Sequence, residues 1–160
     1  MPLHSAVPRV ALALALAACA AAEPGAPLMP GSVDAPPPPI AAAGDALLTG
    51  IVWSWKETVM NDGKRIIPSS PARYTLLFQP GGMVAVQADC NRGSGSYLLN
   101  GASLVFGPIA MTRAMCPPGS ADADFMKGLE GVSAQLFRGN DLVLTLRADS
   151  GSMVFTSPRS

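Results

Sequence analysis

The sequence predicts a mostly β (α+β) domain with one short helix. Three observations carry that expectation. Short apolar runs recur with turn residues between them about every eight to twelve positions, the spacing of a small sandwich or barrel. Asn100-Gly101 stands between two of these runs and is a strong two-residue hairpin signal. The segment from Ser120 to Gly131 breaks the alternation, and Phe125, Leu129 and Val132 fall at helical spacing.

Each element follows from its residues. Ile51 to Val59 alternates, which puts Ile51, Trp53 and Trp55 on one face of a first strand. Tyr74 to Gln79 forms a second, and Pro80-Gly81-Gly82 turns it into Met83 to Ala88. Ser96 to Leu99 and Ser103 to Phe106 flank Asn100-Gly101. The helix follows, with Ser120 as its expected N-cap and Asp122 and Asp124 suited to the positive end of its dipole. Gly128 and Gly131 keep it short, and its Phe125 face is expected to cover one end of the sheet. Ser133 to Arg138 and Leu142 to Arg147 then flank Gly139-Asn140-Asp141, and Asp149-Ser150-Gly151 leads into a last strand, Ser152 to Thr156.

A chain of 160 residues suits one such domain, and 11 basic against 11 acidic residues leave no basic stripe for nucleic acid. The first 44 residues read differently. His4 and Arg9 precede an unbroken apolar run, Val10 to Ala18, in the layout of a secretory signal. The run is shorter than the roughly 20 residues that span a bilayer. Leu16-Ala17-Ala18-Cys19 resembles the bacterial lipobox, in which the signal is cut before a cysteine that carries the lipid. Acyl chains add about 0.8 kcal/mol of membrane affinity per buried methylene. The competing reading is an ordinary signal cut after Ala20-Ala21-Ala22, which would discard Cys19. Ala20 in the following position resembles the outer-membrane sorting default. Ala20 to Gly44 is Ala- and Pro-rich and includes Pro36-Pro37-Pro38-Pro39, the composition of an extended tether that reaches on the order of 80 Å. The expected organisation is thus a signal over 1–18, a lipidated Cys19 with its tether over 19–44, and a folded domain over 45–160.

With Cys19 assigned to lipid, Cys90 and Cys116 remain, and an exported domain with two cysteines usually joins them. Closing that loop is worth roughly 3.5 kcal/mol by chain entropy. The residues around the pair have a further pattern. Asp89-Cys90-Asn91-Arg92-Gly93-Ser94-Gly95-Ser96-Tyr97, followed by Gly107-Pro108-Ile109-Ala110-Met111-Thr112-Arg113-Ala114-Met115-Cys116, resembles the META domain, also called HslJ-like. Asn91, Gly95, Tyr97, Ile109, Thr112 and Cys116 fall on that family's motif positions, and the resemblance runs from about Leu47 to Phe155. Asp89 replaces the family's usual Gly, and Gly93 stands where a bulkier residue is common. The resemblance implies a small antiparallel sheet forming a partial or cracked barrel with one short helix. It also implies a setting of envelope stress, antibiotic tolerance or secretion, and no catalytic residues.

The chemistry of the residues agrees with a non-catalytic protein. His4 is the sole histidine and leaves with the signal, so the mature chain has no imidazole for acid-base work or metal ligation. A Cys90–Cys116 disulfide removes the thiols as nucleophiles or metal ligands. No cofactor or metal is expected. Ser94 or Ser96 paired with Lys56, Lys64 or Lys127 gains no support from spacing.

Two constellations are candidate sites. Asp89, Asn91, Arg92, Thr112 and Arg113 flank the cysteine pair, either as loop-stabilising groups, with Arg92 or Arg113 paired to Asp89, or as a polar recognition patch. Trp53, Trp55 and Phe106 are either core or the lining of an apolar cleft, to which Met83, Met111, Met115 and Met126 add an adaptable wall. The expected function is a binding module of the envelope, held to the outer membrane through Cys19 and facing the periplasm. Its partner is a peptide or another envelope or secretion-system protein. Inhibition of a hydrolase such as lysozyme, and carriage of an apolar ligand in the barrel, stand as alternatives.

Overall fold

A computed structural model describes residues 45–158. The expected signal and tether, and with them Cys19, lie outside the described residues. The chain forms β1 (Val52–Met60), β2 (Arg65–Ile66), β3 (Tyr74–Gln79), β4 (Met83–Ala88), β5 (Asn91–Asn100), β6 (Ser103–Met111), the helix α1 (Asp122–Glu130), β7 (Val132–Arg138), β8 (Asp141–Leu146) and β9 (Gly151–Thr156). Apart from β2, which lies on the outer side of β1, strands that follow one another in the chain are neighbours in the sheet, and β1 pairs back onto β9. Eight strands therefore close into an antiparallel barrel, with β2 as a short flap beside β1. This is the mostly β, one-helix barrel that the sequence predicts.

Alternate residues fill the interior, as the pleat requires. Trp53, Trp55, Tyr74, Leu76, Phe78, Val84, Val86, Tyr97, Leu104, Leu142, Leu144, Met153 and Phe155 are all buried. A bulge in β1 between Trp55 and Glu57 shifts the alternation and turns Thr58 inward, where its hydroxyl accepts the Trp55 indole N–H at 3.1 Å. The helix enters this core from one side. Phe125 and Leu129 are fully buried, and the Phe125 ring lies 5.1 Å from Trp55, 5.6 Å from Tyr74 and 6.1 Å from Phe155. Each such side chain contributes roughly 1.5–3 kcal/mol by leaving water. The barrel is thus packed with its own side chains.

The helix sits where the barrel pairs least. β6 and β7 share one register pair, Ser103 with Ala134, next to a backbone bond from the Gln135 N–H to the Ala102 carbonyl at 2.8 Å. Beyond Ser103 the two strands part, and α1 lies along the opening. Pro108 falls in this stretch of β6. Proline lacks a ladder donor and is tolerated at strand edges and bulges, and both conditions hold here, because β5 bulges opposite, between Gly95 and Tyr97.

Several boundaries differ from the sequence expectation, among them the end of β6, which runs to Met111 and not Phe106. β5 begins at Asn91, not Ser96, so the Gly93-Ser94-Gly95 segment is strand and not turn. A Cβ on Gly93 would lie 2.1 Å from the Ala110 carbonyl oxygen, and one on Gly95 would lie 2.8 Å from Ile109, so β6 occupies the space their side chains would need. The helix opens at Asp122 with Ala121, not Ser120, in the cap position. The Tyr74 hydroxyl reaches out of the barrel to accept the Ala121 N–H at 2.8 Å, while the Ser120 hydroxyl accepts the Asp122 N–H at 3.3 Å. The β2 flap, two residues long, carries no alternation to read.

Candidate binding site at the barrel seam

The site is built from the β4–β5 turn, the end of β6, the loop over 112–121 and α1. Its foundation is the turn. Asp89 has φ 57°, in the left-handed region that glycine adopts freely and aspartate tolerates better than most residues. Its N–H donates to the Arg73 carbonyl at 2.8 Å, and its buried carboxylate pairs with the Arg73 guanidinium. The expectation from sequence is a pair between Asp89 and Arg92 or Arg113. The partner is Arg73, because the turn before β3 lies against the β4–β5 turn when Tyr74 pairs with Ala88.

Cys90 and Cys116 are joined by a disulfide that ties this turn to the loop after β6. Asn91, buried beside it, does most of the remaining fastening. Its carbonyl oxygen accepts the Ala114 N–H at 2.8 Å and the Thr112 hydroxyl at 3.0 Å, and its amide donates to the Ala114 carbonyl at 3.1 Å. The Thr112 hydroxyl in turn accepts the Arg92 N–H at 3.0 Å. Asn91 thereby imitates a backbone partner for the loop, and a buried amide so engaged costs about 1–3 kcal/mol to remove. Asp89, Asn91 and Thr112 act as fasteners of the loop. Arg92 and Arg113 are exposed, and among the described residues neither makes an ion pair.

Two cavities open along this seam. One, of about 410 Å³, lies between the loop and the helix and is lined by Ala88, Asn91, Met111, Arg113, Met115, Asp122 and Met126 among others. The second, of about 480 Å³, lies between the unpaired part of β6 and α1 and is lined by Phe106, Gly107, Pro108, Ile109, Met126 and Glu130. Both touch Met126, so they adjoin. The expected apolar cleft is placed differently. Trp53 and Trp55 lie in the core, with the Trp53 indole N–H donating to the Leu48 carbonyl at 3.1 Å. Phe106 stacks on Phe78 at 6.0 Å and is one of the residues lining the second cavity. The signal for that cavity was Pro108 inside a strand, which marks an edge. Ser94 and Ser96 lie exposed on the outer face of β5. A third cavity, of about 370 Å³, lies on the far side of the helix and is lined by Lys64, Asp124 and Lys127 among others.

The sequence matches the META domain over residues 46–159. The chain belongs to the META domain family. The motif positions of this META domain converge on one piece of architecture: Cys90, Asn91, Thr112 and Cys116 fasten the loop, and Gly95 admits Ile109. Asp89 holds the left-handed turn between β4 and β5. Among solved structures, an NMR structure of a protein from Burkholderia xenovorans is similar at 23% identity and a TM-score of 0.60, covering 84% of this chain and 100% of that one. A DUF4847 family protein from Bacteroides vulgatus is similar at 13% identity and a TM-score of 0.52, covering 71% and 96%. These likenesses concern the fold. Among curated proteins none matches the sequence.

Proposed function

We propose that this META domain is a non-catalytic binding module of the bacterial envelope, anchored through a lipid on Cys19, and that it binds an extended peptide segment of another envelope protein along β6. The observation that carries this reading is the single register pair between β6 and β7. Past it, β6 has a free edge facing a cavity with apolar walls from Phe106, Ile109 and Met126. Free backbone groups beside alternating apolar contacts suit strand addition, in which main-chain bonds supply affinity and side-chain pockets supply selectivity. Glu130 and Arg113 at the two ends of the seam give the peptide a preferred direction.

Selection of peptides from a displayed random library against the isolated protein, followed by amide chemical-shift mapping, tests the binding face. Shifts concentrated at Gly107, Ile109, Ala110 and Met126 are expected. Selected peptides that perturb the β1–β9 face instead would overturn the reading. The anchor is tested separately by the intact mass of protein taken from its native host. An acylated Cys19 as first residue is expected, and an unmodified N-terminus removes the anchor.

A further inference from the structure

Met111, Met115 and Met126 come from three different elements and line one cavity of about 410 Å³. We propose that this cavity is a binding site for a soft monovalent metal ion, copper(I) or silver(I), held by the three thioether sulfurs. Thioethers are soft, uncharged donors that select such ions over zinc, magnesium or calcium. Among the described residues there is no group of three or more histidine, cysteine, aspartate or glutamate side chains placed to hold a metal.

Three features distinguish this cluster from an ordinary apolar wall. Met115 is 99% exposed, so the hydrophobic effect gives it no reason to be methionine. The backbone on either side of it is nonetheless held, by the Cys90–Cys116 disulfide and by two Asn91 bonds to Ala114. A flexible side chain on a fixed mount can fold over the cavity without ordering the loop first, which is how preorganisation favours binding. Met111 is accommodated by a missing side chain: a Cβ on Gly93 would lie 2.4 Å from its sulfur. Asp122 and Arg113 both line this cavity, so the wall has no net charge of its own and the neutral thioethers are the donors it offers. The disulfide also removes the two thiols that would otherwise compete for the ion.

The site adjoins the peptide groove at Met126 but does not depend on it, and metal binding needs no peptide. The test is a titration of the full chain carrying Cys19→Ser, which removes the one cysteine outside the disulfide, with silver nitrate in chloride-free buffer, read by the methyl resonances of ¹³C-methyl-methionine. Saturation at one ion per chain is expected, with shifts confined to Met111, Met115 and Met126 and none at Met83 or Met153. Met115→Leu is expected to weaken binding by about tenfold or more, and the triple Met111→Leu, Met115→Leu, Met126→Leu variant to abolish it. Leucine keeps the volume and apolarity of the wall and removes only the sulfur, so an apolar role would leave the fold unchanged. Circular dichroism of the triple variant confirms that it is folded. Silver shifts spread over all methionines, or a folded triple variant that binds as the parent does, would overturn the proposal.

Discussion

Between β1 and β9 six residue pairs run from Ser54–Thr156 to Met60–Gly151, while between β6 and β7 there is one. Both are closures of the same barrel. The first is a hydrogen-bonded ladder over a core of Trp55 and Phe155. The second is assembled from unlike parts: a helix that inserts Phe125 and Leu129, a disulfide, and an asparagine that stands in for backbone. The difference teaches where binding chemistry can reside. A ladder satisfies its own polar groups and leaves nothing to recognise, whereas a closure made of side chains leaves strand edge, cavity and free cations in one place.

Removing the Phe125 wedge should weaken the second closure most. Phe125→Ala is expected to cost about 3–5 kcal/mol in urea denaturation, because it empties the centre of the aromatic cluster. A loss below about 1 kcal/mol would mean that the helix is an accessory and not part of the closure. Next in size is the disulfide. Replacing Cys90 and Cys116 by serine is expected to cost roughly 3.5 kcal/mol. Asn91→Ala is expected to cost about 1–3 kcal/mol, and because both fasten the same loop their effects should be non-additive by about 0.5 kcal/mol or more in a double-mutant cycle. Strict additivity would show that the amide and the cross-link hold separate structures.

A finer contrast concerns the turn at Asp89. Asp89→Gly and Asp89→Ala both lose the Arg73 ion pair, but alanine must also adopt φ 57°. The alanine variant is expected to be less stable by about 1–2 kcal/mol, measured by thermal melting. Equal losses would place the whole effect in the ion pair. The smallest expected effect is a pH dependence at Tyr97. Burial, and then the Asp45 carboxylate that accepts its hydroxyl proton, raise the phenol pKa well above its ordinary value. The neutral phenol is what the fold holds, so its contribution is complete below about pH 10 and is lost as pH rises further. Tyr97→Phe is expected to melt with a shallower decline than the parent above that pH.

Much of the ladder side was legible in the sequence, because alternation at Trp53 and Trp55 and turns such as Asn100-Gly101 are local signals. The hairpin forms one residue later than Asn100-Gly101 suggests: Asn100 ends β5 and pairs with Ser103, and Gly101, at φ 59°, and Ala102 make the two-residue turn into β6. The seam was legible only in part. Gly93 and Gly95 read as turn residues because glycine is a poor strand former. What makes them strand is β6 lying over them, a contact from about 16 positions away in the chain. Arg73 could not be paired with Asp89 by inspection, since the register of β3 on β4 brings them together. The same holds for Tyr74 at the start of α1. Asn91, Thr112 and Cys116 were visible as a motif, yet their joint task depends on β5 and β6 running antiparallel so that the loop returns to the turn.

The chain enters the barrel through a short helical turn over 45–48 that is pinned before the first strand begins. Asp45 holds Tyr97, the Leu48 carbonyl holds the Trp53 indole, and Thr49 bridges to Phe78. A pull arriving from the N-terminal side therefore loads three attachments on three different strands at once. The barrel would bear tension there as a rivet bears it, in shear across several points, and β1 would not peel from its neighbours until those points had failed.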